Sequence, residues 1–132
     1  VDYSDVETLN LNLGSYKDIL TVASTISGST NIDTGAAADV VKIDTYNGTT
    51  VIATGSGSDE ITLFDGIGDV AGAGAYLELN GGENGDDYTI NNAAVATFSS
   101  FVNLNDTGME DIDELIFTGS SGNDLIQLDT IY

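Results

Sequence analysis

Five segments of this chain share one frame, in which a glycine, a short spacer and an aspartate are followed by an apolar residue two positions after the aspartate. They are Gly14–Leu20, Gly35–Val41, Gly55–Ile61, Gly81–Tyr88 and Gly119–Ile126. The aspartates of the first three, Asp18, Asp39 and Asp59, are 21 and 20 residues apart, and the next steps are 28 to Asp87 and 37 to Asp124. Such a repeat predicts a chain that winds in coils of about twenty residues, with insertions in its second half.

Between these glycine–aspartate turns, apolar and polar residues alternate in short runs. The runs are Leu9–Leu13, Val41–Ile43, Ile61–Leu63, Tyr88–Ile90, Val102–Leu104 and Ile126–Leu128. Alternation at period two is typical of β-strands. A second set of turn residues lies about half a repeat away, at Ser27–Ser29, Asn47–Thr49 and Gly66–Gly68. One repeat is therefore strand, turn, strand, turn, and we expect an all-β fold: a parallel β-solenoid, either a β-roll or a flattened β-helix.

The length of 132 residues suits a single domain over residues 1–132. We expect regular coils over about 6–91 and an irregular, insertion-bearing part over about 92–132. In that second part a turn and a strand are favoured over a short helix for Met109–Phe117, and Asn92–Ala96 is ambiguous. Three aspartates are expected at equivalent corners of the coils: Asp44, Asp65 and Asp129.

The composition excludes several functional classes. There are 22 acidic residues against two basic ones, a net charge of -20, and neither His nor Cys. Nucleic acids and anionic membranes bind basic surfaces, so neither is an expected partner. Without His and Cys the chain has no catalytic triad, no zinc site of the usual N/S type and no disulfide. The first residues, Val1–Asp5, are unlike a signal peptide, so we expect a mature chain or an excised fragment.

Oxygen ligands are abundant, and they are the ligands of a hard cation such as Ca²⁺. If the coils stack, Asp39 and Asp59 lie about 5 Å apart and repel by roughly 3 kcal/mol at an effective dielectric constant of ~20. A proton or a bridging cation would relieve this repulsion, and at neutral pH the cation is favoured. The alternative is that these are ordinary turns without metal. A further cluster of four acidic residues is either a patch of metal ligands or a solvated loop, and we favour the loop. Its members are Glu110, Asp111, Asp113 and Glu114.

The turns at Thr54–Ile61 and Gly119–Ile126 resemble the nonapeptide GGxGxDxUx of haemolysin-type calcium-binding (RTX) proteins, with one glycine replaced in each. The resemblance implies Ca²⁺ held between successive coils by aspartate carboxylates and turn carbonyls. The implied ligands are Asp18, Asp39, Asp59, Asp86, Asp87 and Asp124, with the turn glycines Gly35, Gly55, Gly57, Gly119 and Gly122. The family motif recurs about every nine residues, and here about every twenty, which leaves metal binding at the second edge open.

These features predict a non-enzymatic, calcium-stabilised structural module of a bacterial extracellular or cell-surface protein, such as an adhesin, surface layer or filament. A solenoid has open ends, so we expect end-to-end self-association or packing against neighbouring repeats of the same protein. The alternative is a carbohydrate- or ice-binding adhesin domain with surface glycans as partners, suggested by Thr45, Thr49, Thr50, Thr54 and Thr62. A glycoside-cleaving enzyme is disfavoured, because so many similar carboxylates single out no catalytic pair.

Overall fold

The structure, a computed structural model, describes residues 5–64, 70–91, 101–108 and 112–119. Within these ranges the chain forms twelve short strands and no helix. The strands are β1 (Thr8–Asn12), β2 (Ile19–Val22), β3 (Ser29–Asp33), β4 (Val40–Ile43), β5 (Thr45–Tyr46), β6 (Thr49–Ser56), β7 (Glu60–Leu63), β8 (Val70–Ala71), β9 (Tyr76–Glu83), β10 (Asp87–Asn91), β11 (Phe101–Leu104) and β12 (Glu114–Thr118). Accordingly, no helix in the described part of the chain could span a membrane.

The strands form two parallel sheets of five strands each and one small parallel pair. Sheet 1 has the order β1-β3-β6-β9-β11, sheet 2 has the order β12-β10-β7-β4-β2, and β5 pairs with β8. One strand from each sheet makes a coil: β1 and β2 are coil 1, β3 and β4 coil 2, β6 and β7 coil 3, β9 and β10 coil 4, and β11 and β12 coil 5. From β1 in coil 1 to β11 in coil 5 the chain makes about four turns of a parallel β-solenoid, and the predicted fold is confirmed.

The core lies between the two sheets and consists of the inward-facing residues of the alternating strands. In sheet 1, Ile32, Ile52 and Leu79 lie in register in successive coils, and in sheet 2 Ile43 lies beside Leu63. All five side chains are buried in one hydrophobic cluster. Burying an aliphatic side chain contributes roughly 1.5–3 kcal/mol, so these columns hold consecutive coils together.

Coils become longer in the second half of the solenoid. Ser29 pairs with Thr49, 20 residues later, whereas Thr49 pairs with Tyr76, 27 residues later. The additional residues lie between β7 and β9, where β8 pairs with β5. At the start of this insertion the ring of Phe64 stacks on Tyr46, with ring centroids 5.9 Å apart.

One expected corner equivalence is wrong. The register pairs Ile43 with Leu63, so the residue that follows at the position of Asp44 is Phe64 and not Asp65. The coil between these strands is 20 residues long, and a shift of one residue in register turns a side chain to the other face. Asp65 and Asp129 themselves lie outside the described residues.

Three glycines form a column at the corner where sheet 1 leads into sheet 2. Gly35, Gly55 and Gly82 have φ values of 101°, 94° and 101°. A Cβ atom on Gly55 would overlap the carbonyl oxygen of Gly35, and one on Gly82 would overlap that of Gly55. The repeated glycine is therefore needed both for its left-handed backbone and for the close approach of the coils.

Candidate functional site

Aspartates immediately before the strands of sheet 2 form a continuous hydrogen-bonded series, which we call the aspartate ladder. The N–H of Asp18 donates to Asp39 Oδ1 at 2.7 Å, and that of Asp39 donates to Asp59 Oδ1 at 2.7 Å. The series continues from the N–H of Asp59 to Asp86 Oδ1 at 2.8 Å, and from Asp86 to Asp113 Oδ1 at 3.0 Å. Each side chain therefore reaches back one coil and satisfies the backbone of its counterpart there.

Main-chain hydrogen bonds run beside the ladder and fix its spacing. Glu60 N–H donates to the Asp39 carbonyl oxygen at 2.9 Å, and Asp87 N–H donates to that of Asp59 at 2.8 Å. The ladder is thus an extension of sheet 2 in which side-chain oxygens replace carbonyls as acceptors. In the four aspartates that accept a ladder bond, Asp39, Asp59, Asp86 and Asp113, this structural role uses only one carboxylate oxygen, Oδ1.

The second carboxylate oxygens of the ladder are in an unfavourable environment. Asp39, Asp59 and Asp86 are 1%, 2% and 0% exposed, and their Oδ2 atoms have no hydrogen-bond partner among the described residues. Thr54 lies close enough to Asp59 to stabilise its charge, but it donates its single hydroxyl proton to the Gly81 carbonyl at 3.1 Å, which leaves Asp59 Oδ2 without a hydrogen bond from it. A buried, unpaired charge is costly, and a cation beside these oxygens would reduce that cost.

The titration behaviour of two ladder residues reflects this burial. Desolvation raises the pKa of Asp59. The hydrogen bond from the Asp39 N–H lowers this pKa, and the charge of Asp39 raises it. Desolvation also raises the pKa of Asp86 to about 7, and the charges of Asp59, Asp106 and Asp113 raise it further against the hydrogen bond from Asp59. Burial and the charges of three neighbouring carboxylates therefore act together on Asp86.

Two further carboxylates meet Asp86 at the junction of coils 4 and 5. One carboxylate oxygen each from Asp86, Asp106 and Asp113 lies within 4.8 Å of the others, and we call this group the three-aspartate cluster. Asp86 is buried, Asp106 is partly buried and Asp113 is exposed, so the cluster opens to solvent on the Asp113 side. The three residues come from the turn before β10, the segment after β11 and the turn before β12.

Hydrogen bonds orient Asp106 within the cluster. Its Oδ2 accepts the hydroxyl of Tyr88 at 2.7 Å, and its Oδ1 accepts the N–H of Gly108 at 3.0 Å. The Tyr88 hydroxyl in turn accepts the N–H of Gly81 at 2.8 Å. Burial raises the pKa of Tyr88, and its hydrogen bond to Asp106 raises it further, so the phenol stays protonated and donates.

The cluster has the chemistry of a cation site. The two lysines of the chain lie in other coils, Lys17 before β2 and Lys42 on β4, so no basic residue of coils 4 and 5 balances the three carboxylates. Calcium binds oxygen ligands at about 2.3–2.6 Å, so two ligands of one ion are at most about 5 Å apart. The spacing within the cluster satisfies this limit.

The structure distributes the residues predicted as metal ligands over several environments. Asp18, Asp39, Asp59 and Asp86 lie together on the ladder, whereas Asp87 is exposed on the outer face of sheet 2. Gly35 and Gly55 belong to the glycine column, and the Gly35 carbonyl accepts the Ser56 N–H at 3.2 Å. Gly57, with φ of 136°, packs against the Ala37 carbonyl, and Gly119 follows β12. Gly122 and Asp124 lie outside the described residues.

Sequence reasoning missed the part that Asp106 and Asp113 play. The fifth member of the ladder is Asp113, 27 residues after Asp86, and it belongs to the segment Gly108–Leu115, which has the same frame of glycine, aspartate and apolar residue. That frame could have predicted Asp113, but Gly119–Ile126 matches it more fully and was taken as the fifth repeat. The strand expected over this segment is confirmed, since β12 begins directly after Asp113.

The threonines that suggested a ligand-binding face do not share one face. Thr50 and Thr54 are buried, and Thr49 is exposed on sheet 1. On the outer face of sheet 2, Thr62 lies in register between Lys42 and Thr89, so the lysine interrupts the row.

The resemblance to RTX turns rests on the glycine and aspartate residues quoted above. Their spacing places one aspartate of each coil on a single edge of the solenoid. Comparisons of the whole chain with protein-family models, with curated proteins and with solved structures find no match.

Proposed function

We propose that this chain is a non-enzymatic structural module, a β-solenoid that Ca²⁺ stabilises within a bacterial extracellular or cell-surface protein such as an adhesin, surface layer or filament. The observation that supports this most directly is the aspartate ladder, with buried and unpaired Oδ2 atoms in three successive coils. Each ladder hydrogen bond stabilises the fold, but it does not neutralise the negative charge of the aspartate that accepts it. That charge requires a counterion.

Electrostatics make the counterion important for stability. Adjacent coils are about 4.8 Å apart, so neighbouring ladder carboxylates repel by roughly 3 kcal/mol at an effective dielectric constant of ~20. The unfolded chain does not hold these groups together. A divalent cation that binds only the native state therefore raises the free energy of unfolding.

The calcium affinity expected of such sites indicates where in or outside the cell the protein is folded. Extracellular calcium modules typically have dissociation constants of about 10⁻⁴–10⁻³ M, which suffice only where calcium is abundant. A module whose fold depends on such sites is folded outside the cell. This supports an extracellular or cell-surface location.

The terminal coils support a role in assembly. Strands β1 and β2 each pair with a single strand in the described structure, so one backbone edge of each is open. In the same coil Leu11 and Val22 are only partly buried, although their counterparts in the next coil, Ile32 and Ile43, belong to the core. A second copy, or a neighbouring repeat of the same protein, would continue both sheets across this end.

Thermal melting followed by circular dichroism tests the proposal. We expect the melting temperature of EGTA-treated protein to rise by many degrees with millimolar CaCl₂ and much less with MgCl₂, because Ca²⁺ tolerates irregular oxygen cages and Mg²⁺ does not. Size-exclusion chromatography with light scattering, with and without EGTA, measures association. A monomer whose melting temperature ignores calcium would contradict the proposal.

A further inference from the structure

We propose that the three-aspartate cluster of Asp86, Asp106 and Asp113 is a specific Ca²⁺ site that joins coil 5 to coil 4. This inference rests on the proposed function and names the place where the ion acts. It differs from the arrangement that the RTX resemblance implies, because Asp106 belongs to no glycine–aspartate turn and lies at the end of sheet 1.

The orientation of the buried Asp86 side chain is the first argument. Its Oδ2 is unpaired, and a Cβ atom on Gly81 would overlap both this oxygen and the Tyr88 hydroxyl oxygen. The two oxygens are therefore neighbours beside Gly81, and the Tyr88 hydroxyl donates to Asp106. Asp86 Oδ2 thus faces Asp106, into the cluster.

The second argument comes from one inward-facing position near the end of the sheet 1 strands, which lies within β6 and β9 and just after β3 and β11. In coils 2 and 3 this position holds Thr34 and Thr54, both buried, whose hydroxyls donate to the carbonyls of the next coil. In coil 4 it holds Gly81, which leaves room for the Asp86 carboxylate and the Tyr88 hydroxyl. In coil 5 the continuing register brings Asp106 to it, so a third carboxylate appears there and at no corresponding position of coils 2 to 4.

The third argument is the number of lone pairs still available. Among the residues that the structure describes, Asp86 Oδ2 accepts no hydrogen bond, and only one oxygen of Asp113 is used in the ladder. Each Asp106 oxygen accepts one hydrogen bond and keeps a second lone pair. Three carboxylates around one Ca²⁺ leave a residual charge of about -1, and the exposed Asp113 side lets water complete the six to eight ligands that Ca²⁺ takes.

Isothermal titration of CaCl₂ into the EGTA-treated and desalted full chain tests this site. Asp113→Asn keeps an oxygen that accepts the Asp86 N–H, and Asp106→Asn keeps an acceptor for one of its two hydrogen bonds, from Tyr88 or from Gly108. Each variant removes one negative charge. We expect each to raise the calcium Kd by about tenfold or more and to reduce the calcium-dependent rise in melting temperature. Asp113 is exposed, so its variant is expected to fold. The matched control is Asp33→Asn, an exposed aspartate on sheet 1, which should leave the Kd unchanged.

The outcomes separate this inference from the proposed function. If calcium stabilises the wild type and both variants equally, the ladder still binds calcium but the three-aspartate site is wrong. If calcium binds none of the proteins, both proposals are wrong. Hydrogen exchange gives an independent readout, because calcium should slow amide exchange in β12 of the wild type and not of Asp106→Asn.

Discussion

The backbone N–H of Asp59 donates to the Oδ1 of Asp86, 27 residues further along the chain, at 2.8 Å. The same bond joins Asp39 to Asp59 across 20 residues, so the coil can lengthen by seven residues without breaking the ladder. The insertion is confined to the corner between β7 and β9, on the far side of the coil from the ladder. The ladder geometry is thus constant while the length of the coil changes.

Replacing Asp59 separates the hydrogen bond from the charge. Asp59→Asn keeps an oxygen acceptor for the Asp39 N–H and removes a buried charge, so we expect calcium-free stability at pH 7 to be retained or increased. Asp59→Ala leaves the Asp39 N–H unsatisfied and should lower the free energy of unfolding by about 1–3 kcal/mol. Urea unfolding in EGTA measures both. Equal losses in the two variants would show that the hydrogen bond is unimportant.

Stability without calcium should fall as the pH rises. The pKa of Asp86 is raised from 3.8 to about 7 in the folded chain. The native state therefore holds a proton that the unfolded chain has lost between these values, and the free energy of unfolding decreases as the pH rises through that interval. Melting in EGTA should give a higher transition temperature at pH 5 than at pH 8.

Asp86→Asn is the control for this pH effect. It retains an acceptor for the Asp59 N–H and has no carboxyl group to titrate, so the dependence between pH 5 and pH 8 should become smaller. If the melting temperature of this variant changes with pH as much as that of the wild type, other carboxylates cause the pH effect.

The glycine column should tolerate no side chain. Gly55→Ala combines a φ of 94° with an overlap between the new Cβ and the Gly35 carbonyl oxygen, so we expect a loss of more than about 2 kcal/mol. Gly14→Ala is the matched control, because a Cβ there meets no atom within 4 Å, and it should change stability by less than about 0.5 kcal/mol. Urea denaturation of the two variants gives the comparison, and similar losses would contradict the stacking explanation.

The two faces of β6 should respond differently to truncation. Ile52 is fully buried between Ile32 and Leu79, so Ile52→Ala should cost about 2–5 kcal/mol. Val51 faces outward on the same strand and is only partly buried, so Val51→Ala should cost less than about 1 kcal/mol. Chemical unfolding under calcium-free conditions measures both, and a larger loss for Val51→Ala would reverse the assignment of the faces.

Local patterns were sufficient to predict the fold. The alternation around Ile43 and Ile61 predicted strands with a buried face, and the spacing of Asp18, Asp39 and Asp59 predicted the length of the first coils. The prediction lost accuracy where the coil length changes. Local sequence similarity predicted the wrong register in two places. It aligned Asp44 with Asp65, and it placed the fifth glycine–aspartate turn at Asp124 and not at Asp113.

What the sequence by itself determined is the parallel winding and the buried faces of alternating strands such as β1, β4, β7 and β10, because strand alternation and turn glycines act over a few residues. Only the tertiary structure decided that Asp86, Asp106 and Asp113 meet. Their meeting depends on where the end of β11 comes to lie relative to the turn before β10, and that position is set by the packing of whole coils. The same packing buries the Asp86 carboxylate and leaves its Oδ2 without a hydrogen-bond partner among the described residues.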